Sequence, residues 1–159
     1  SAGDSIQTGR ADNMNLYTMG FTQKTAEKFF GLISQHHIQI LADIRLNNKS
    51  QLAGFTKGGD LKYFLREICS CKYIHCLNYA PSKEILDGYK KQIITWHEYE
   101  KEYTALMIKR NAVNDFAARF SGYDSVCLLC SEPTPEHCLR KLFADMLRDN
   151  DKDITIIHI

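Results

Sequence analysis

Residues 15–46 read "NLYTMGFTQKTAEKFFGLISQHHIQILADIRL": an apolar, β-branched run, a segment of helical period and a second apolar run. In the middle segment Ala26, Phe29, Phe30 and Ile33 fall at i, i+3, i+4 and i+7, so one apolar stripe faces a common surface. Thr22 is the expected N-cap of that helix. Strand, helix and strand in this order predict two parallel strands joined by a covering helix.

The same rhythm continues toward the C-terminus. After a polar loop, "NNKSQLAGFTKGG" (47–59), Leu61, Phe64, Leu65 and Ile68 form a second helical stripe, followed by the strand "CKYIHCLNY" (71–79). Pro81 sets a turn, and 83–110 is helical in two pieces, the second opened by a capping box of Thr95 and Glu98. Its apolar side is Trp96, Tyr99, Tyr103, Leu106 and Met107. A further helix with Val113, Phe116, Ala117 and Phe120 leads to "VCLLC" (126–130), the most apolar run and therefore the expected central strand. Thr134 and Pro135 are expected to start the last helix, which buries Leu139, Leu142, Phe143, Met146 and Leu147 before the final strand "DITIIHI" (153–159). The predicted fold is α/β and three-layered: a Rossmann-like, open and mainly parallel sheet of about five strands with helices on both faces. Residues 14–159 are expected to form one α/β domain, and the polar, aperiodic 1–13 a leader or tag remnant.

Composition narrows the function classes. The chain has 159 residues, 44% hydrophobic and 25% charged, with a formal charge of +1, so no global field holds nucleic acid or a membrane surface. No apolar run reaches the ~20 residues of a membrane span, which argues against a membrane partner and for a cytoplasmic protein. Six cysteines without a secretory signal read as free thiols, catalytic groups or ligands rather than a disulfide framework. The sequence holds no GxxxxGK[ST], GxGxxG or GxSxG, and it implies no cofactor. Nothing in it sets an oligomeric state.

Ligands of open α/β sheets bind outside the carboxyl ends of the strands. Those ends carry Gly20, Phe21 and Thr22; Asp43 and Arg45; Asn78 and Tyr79; Cys130 and Glu132; and His158. Asp43 and Arg45 are two apart on a strand and point to one side, either pairing with each other or serving a site. Glu136, His137 and Cys138 are expected in the first turn of the last helix, where unpaired N–H groups favour an anion and a thiolate. Cys127 and Cys130 have CxxC spacing but face opposite sides of a strand, so no metal is expected.

Between Arg45 and Lys72, six basic residues stand against two acidic ones, and Phe55, Tyr63 and Tyr73 are interleaved with them. Such a surface either stacks and neutralises single-stranded nucleic acid or is the solvated face of a helix. Lys49, Ser50 and Lys57 lie in the polar loop of this surface and are candidate anion ligands with Gly20, Arg45 and Arg140.

"YTMGFTQKTAEKFFGLISQHHIQILADIR", "NNKSQLAGFTK", "DLKYFL", "YAPSKEILDGYKK" and "LLCSEPTPEHCLRKLFADML" together resemble the family known as domain of unknown function 488, over nearly the whole of 16–158. The resemblance places that family's patterns on Tyr17, Thr18 and Gly20, on Asp43 and Arg45, on Cys130 and Glu132, and on Cys138 and Arg140. Leu139 departs from them, standing where the family commonly has histidine. The resemblance implies positions and a fold, not a reaction.

Three function classes follow. In the first, an enzyme or ligand-binding domain acts on a nucleoside, nucleotide or nucleic-acid-related anionic substrate; Cys130 or Cys138 is the thiol, Glu132 the acid or base, and Asp43 and Arg45 the orienter and anion clamp. The second is a nucleic-acid-binding module without catalysis that uses the 45–72 surface. The third is an interaction domain built on the helix of Trp96, Tyr99 and Tyr103.

Overall fold

The computed structural model describes residues 13–49, 54–132 and 135–159. Five strands form one sheet: β1 (Met14–Gly20), β2 (Ile40–Asp43), β3 (Lys72–His75), β4 (Ser125–Cys130) and β5 (Ile154–His158). All pair in parallel, in the order β3-β2-β4-β1-β5. Among the described residues six α-helices accompany them: α1 (Ala26–Gln35), α2 (Gly58–Cys69), α3 (Lys83–Lys90), α4 (Trp96–Lys109), α5 (Ala112–Arg119) and α6 (Leu139–Asn150).

Alternation along each strand sorts the core into two layers. Leu16, Ala42, Val126, Leu128 and Cys130 face α4, α5 and α6, where Tyr103, Phe116 and Phe143 pack. Tyr17, Met19, Leu41, Cys127 and Leu129 face α1 and α2, where Phe29, Ile33, Leu61 and Leu65 pack. The sheet therefore has helices on both faces, as expected. The apolar 126–130 run is its central strand, because only a strand covered twice can be apolar on both sides. Strand order departs from the 3-2-1-4-5 succession of the doubly wound fold: β1 and β4 exchange places, and β4 stands between the two strands of the opening strand–helix–strand unit.

Several local expectations are corrected. Thr25, not Thr22, caps α1, accepting from the Lys28 N–H. Thr22 instead ties the turn after β1 to the end of β4: its N–H and hydroxyl both donate to the Ser131 carbonyl. In α2 the stripe is narrower than the sequence implies, with Leu61 and Leu65 buried but Ile68 exposed. The capping box at Thr95 and Glu98 is present. Thr134 lies outside the described residues, and Pro135 is not helical. His137 adopts φ 53°, which no helix tolerates, so α6 begins only at Leu139 with Cys138 as its cap residue. The leader expected at 1–13 lies, up to residue 12, outside the described residues.

Candidate functional site at the carboxyl edge of β1 and β4

The chain leaves β1 toward the α1–α2 face and leaves β4 toward the α6 face. Ligands of such sheets bind at the carboxyl ends of neighbouring strands whose connections diverge in this way. Gly20 and Cys130 are register partners at that point.

Gly20 is glycine because its neighbours leave no room for more. A Cβ there would overlap the Glu132 carbonyl and stand 2.7 Å from Arg140 Nη1. Arg140 comes from the first turn of α6 and is 1% exposed. Its Nη1 donates to the Glu132 carbonyl and lies 3.4 Å from the sulfur of Cys130 and 3.7 Å from that of Cys138. Cys130 and Cys138, at 2% and 3% exposure, are joined as a disulfide. Among the described residues Arg140 Nε, which is buried, has no hydrogen-bond partner. Among the described residues no carboxylate forms an ion pair with Arg140. Burial pulls this guanidinium below its ordinary pKa.

Two further titratable groups stand near it. Lys24 donates through Nζ to the Gly20 carbonyl at 2.8 Å, and its pKa is lowered by burial and then by the Arg140 charge. His158, at the end of β5, shares a hydrogen bond through Nδ1 with the buried hydroxyl of Thr18. Burial and then Arg140 lower its pKa too, favouring the neutral imidazole near pH 7. Thr18, Gly20, His158 and Cys130 share one side of the sheet, since their registers are in phase. Sequence reasoning placed His158 at a strand end without assigning it to the site, and it passed over Lys24. Only the pairing of β5 with β1 brings His158 to Arg140's side.

Asp43 and Arg45 lie on the other face. Asp43 pairs in register with Leu129, one residue out of phase with Cys130, and so points toward α1 and α2. Its carboxylate is bidentate with Arg45 at 2.8 Å to both Nε and Nη2 and accepts the Tyr73 hydroxyl at 2.6 Å. Arg45 also donates to the Thr56 carbonyl at 2.7 Å and lies over the Phe21 ring. The pair is dry, and it anchors the loop that follows β2. The sheet thus separates Asp43 and Arg45 from Cys130, Cys138 and Arg140.

In the basic segment Lys49, Lys62, Arg66 and Lys72 are exposed and Lys57 is half-buried, while Ser50 lies outside the described residues. Of the three aromatic residues only Tyr63 is exposed: Phe55 packs on Phe29 and Phe30, and Tyr73 bonds Asp43. On α4, Tyr99 and Tyr103 are core residues and Trp96 is half-buried against Tyr99.

The cysteines divide into two groups. Cys69, Cys71, Cys76 and Cys127 are free thiols, as expected; Cys130 and Cys138 are not, because the 135–138 turn folds one sulfur onto the other. Burial pushes the Cys71 thiol up to about 12, Cys76 to about 11 and Cys127 higher still. A raised pKa leaves the neutral thiol, so at pH 7 these three are expected to react with iodoacetamide far more slowly than the reduced Cys130–Cys138 pair. Their rates should keep climbing with pH past 9. Site-resolved mass spectrometry of the reduced protein checks this, and equal labelling of all six thiols at pH 7 contradicts it. Among the described residues no cluster of three or more His, Cys, Asp or Glu is disposed to hold a metal ion, and no helix is long and apolar enough to cross a membrane.

The chain matches the family described as "Domain of unknown function DUF488" over residues 25–147. That span holds Asp43, Arg45, Cys130, Glu132, Cys138 and Arg140, and it leaves out Tyr17, Thr18 and Gly20. No curated protein and no solved structure matches the chain.

Proposed function

Since this chain belongs to the DUF488 family, whose description carries no activity, we propose its function from the site itself: a small enzyme or ligand-binding domain that takes an anionic nucleoside, nucleotide or related substrate at the carboxyl edge of β1 and β4. The observation that carries this reading is Arg140, a buried cation that no carboxylate pairs with among the described residues and whose Nε has no partner. A buried charge is costly unless an opposite charge and hydrogen bonds compensate it, and among the described residues Arg140 donates to one carbonyl and two sulfurs and feels the Glu132 and Glu136 charges only at a distance. An anionic group entering the crevice supplies the missing charge, displaces the Glu132 carbonyl from Nη1 and fills Nε. Lys24 adds positive charge beside Gly20, His158 adds a neutral imidazole, and α6 opens directly after Cys138.

Roles follow for the other residues. Gly20 lets the Glu132 carbonyl and Arg140 approach β1 closely, Glu132 moves a proton at the site, and one thiol of the Cys130–Cys138 pair is the nucleophile. Asp43 and Arg45 act from the opposite face by holding the start of the loop that carries Lys49 and reaches Lys57. The surface at 45–72 presents one exposed aromatic ring, so the reading rests on the crevice.

Thermal unfolding of the purified protein tests it. Inorganic phosphate should raise the midpoint, and a nucleoside monophosphate should raise it at lower concentration. At a hundredfold excess over Kd the stabilisation is about 2.7 kcal/mol. Arg140→Met should fold and show no such shift, because methionine fills the volume without the charge. A wild-type protein that no anion stabilises contradicts the proposal.

A further inference from the structure

The sulfur pair does more in this fold than join two segments. Cys130 closes the central strand, where the sheet holds it still, and Cys138 sits on the turn that covers it. Arg140 Nη1 is within 3.7 Å of both sulfurs, so a thiolate on either one has a guanidinium donor beside it. The N–H groups of the first turn of α6 begin directly after Cys138. Cys76 also has an arginine near it, Arg119 at 3.8 Å, yet burial leaves its thiol pushed up to about 11 and no second sulfur is bonded to it.

From this geometry we infer that Cys130 and Cys138 form a reversible dithiol–disulfide centre that exchanges with low-molecular-weight disulfides of the glutathione class. This rests on the crevice of β1 and β4 being the working site, and it names a reaction there. In the reduced protein the Cys138 thiolate, on the covering turn, attacks one sulfur of the small disulfide. One small thiolate leaves, and Cys138 carries a mixed disulfide. Cys130 then gives its proton to that departing thiolate and attacks the Cys138 sulfur, expelling the second small thiolate, which takes its proton from solvent. Two electrons pass from the pair to the small disulfide, which becomes two thiols, and the reverse sequence regenerates the dithiol. Oxidation consumes the nucleophile that the anionic substrate would meet, so the pair's redox state sets whether the crevice is reactive.

The test uses the whole reduced protein, oxidised glutathione, an acid quench and peptide mapping. Wild type should lose two hydrogens in mass and yield a Cys130–Cys138 linked peptide, at least about tenfold faster than glutathione accumulates on Cys69. Cys130→Ser should stop at a stable mixed disulfide on Cys138. Cys138→Ser should react slowly, because its remaining sulfur lies beneath the turn. No linked peptide from wild type, or adducts on Cys69 forming as fast, overturns the inference whatever the variants do. The phosphate-dependent midpoint shift is measured on the same samples. A shift without exchange overturns the dithiol centre alone, and exchange without a shift overturns the anion site alone.

Discussion

Asp43→Ala is expected to destabilise the fold by about 3–5 kcal/mol. Asp43 is fully buried, and its two oxygens accept the Arg45 main-chain N–H, Arg45 Nε and Nη2, and the Tyr73 hydroxyl. Alanine removes all four bonds and leaves a guanidinium at 5% exposure with, among the described residues, the Thr56 carbonyl and the Phe21 ring beside it. That uncompensated charge, rather than the lost attraction, dominates the cost. In a chain of this size the thermal midpoint should fall by roughly 6–20 °C. Arg45→Met combined with Asp43→Leu should recover most of the loss, since similar volume without charge removes the penalty. If the single variant loses less than about 1 kcal/mol, the pair is not the anchor of the loop after β2. Calorimetry of the two variants gives the answer.

Gly20→Ala acts on the other face and should cost about 3 kcal/mol. Replacing glycine within a strand ordinarily helps by reducing the entropy of the unfolded chain, by about 0.5–1 kcal/mol. Here the new methyl overlaps the Glu132 carbonyl, which is backbone and has little freedom to give, and crowds Arg140. Overpacking of this kind typically costs 1–3 kcal/mol and more when backbone must shift. The sign of the balance is therefore unfavourable. A second readout follows from the same contact: pushing Glu132 off Arg140 loosens the cover over the sulfurs, so the reduced pair should alkylate faster than in wild type. A variant as stable as wild type, with unchanged thiol reactivity, would show that the edge of β1 and β4 is open rather than closed by Glu132.

The two variants separate what the sequence left joined. Asp43, Arg45, Cys130 and Glu132 all sit at strand ends, and the sequence presented them as one candidate group. Register divides them, because parallel pairing sets Asp43 beside Leu129 and Gly20 beside Cys130. A displacement of one residue moves a side chain from one face of a sheet to the other. Sequence carries the period of each strand but not its phase against a neighbour 86 residues away in the chain.

What the sequence determined by itself is the set of elements and their layering. Helical stripes at 26–33 and 61–68, a capping box at Thr95 and an apolar run at 126–130 each express a local preference, and burial of the apolar stripes leaves few arrangements beyond a covered parallel sheet. It also showed Cys130, Cys138 and Arg140 as a group, because a strand, a turn and a helix start keep them within eleven residues of each other. Tertiary structure alone decided the strand order, with β4 rather than β1 in the centre, and with it which residues meet. His158 joins Arg140 only because β5 pairs with β1, Thr18 and Lys24 because β1 pairs with β4, and α6 starts late because His137 turns the chain before it. These depend on contacts between segments far apart in sequence, whose free energies are settled by packing rather than by the residues of either segment.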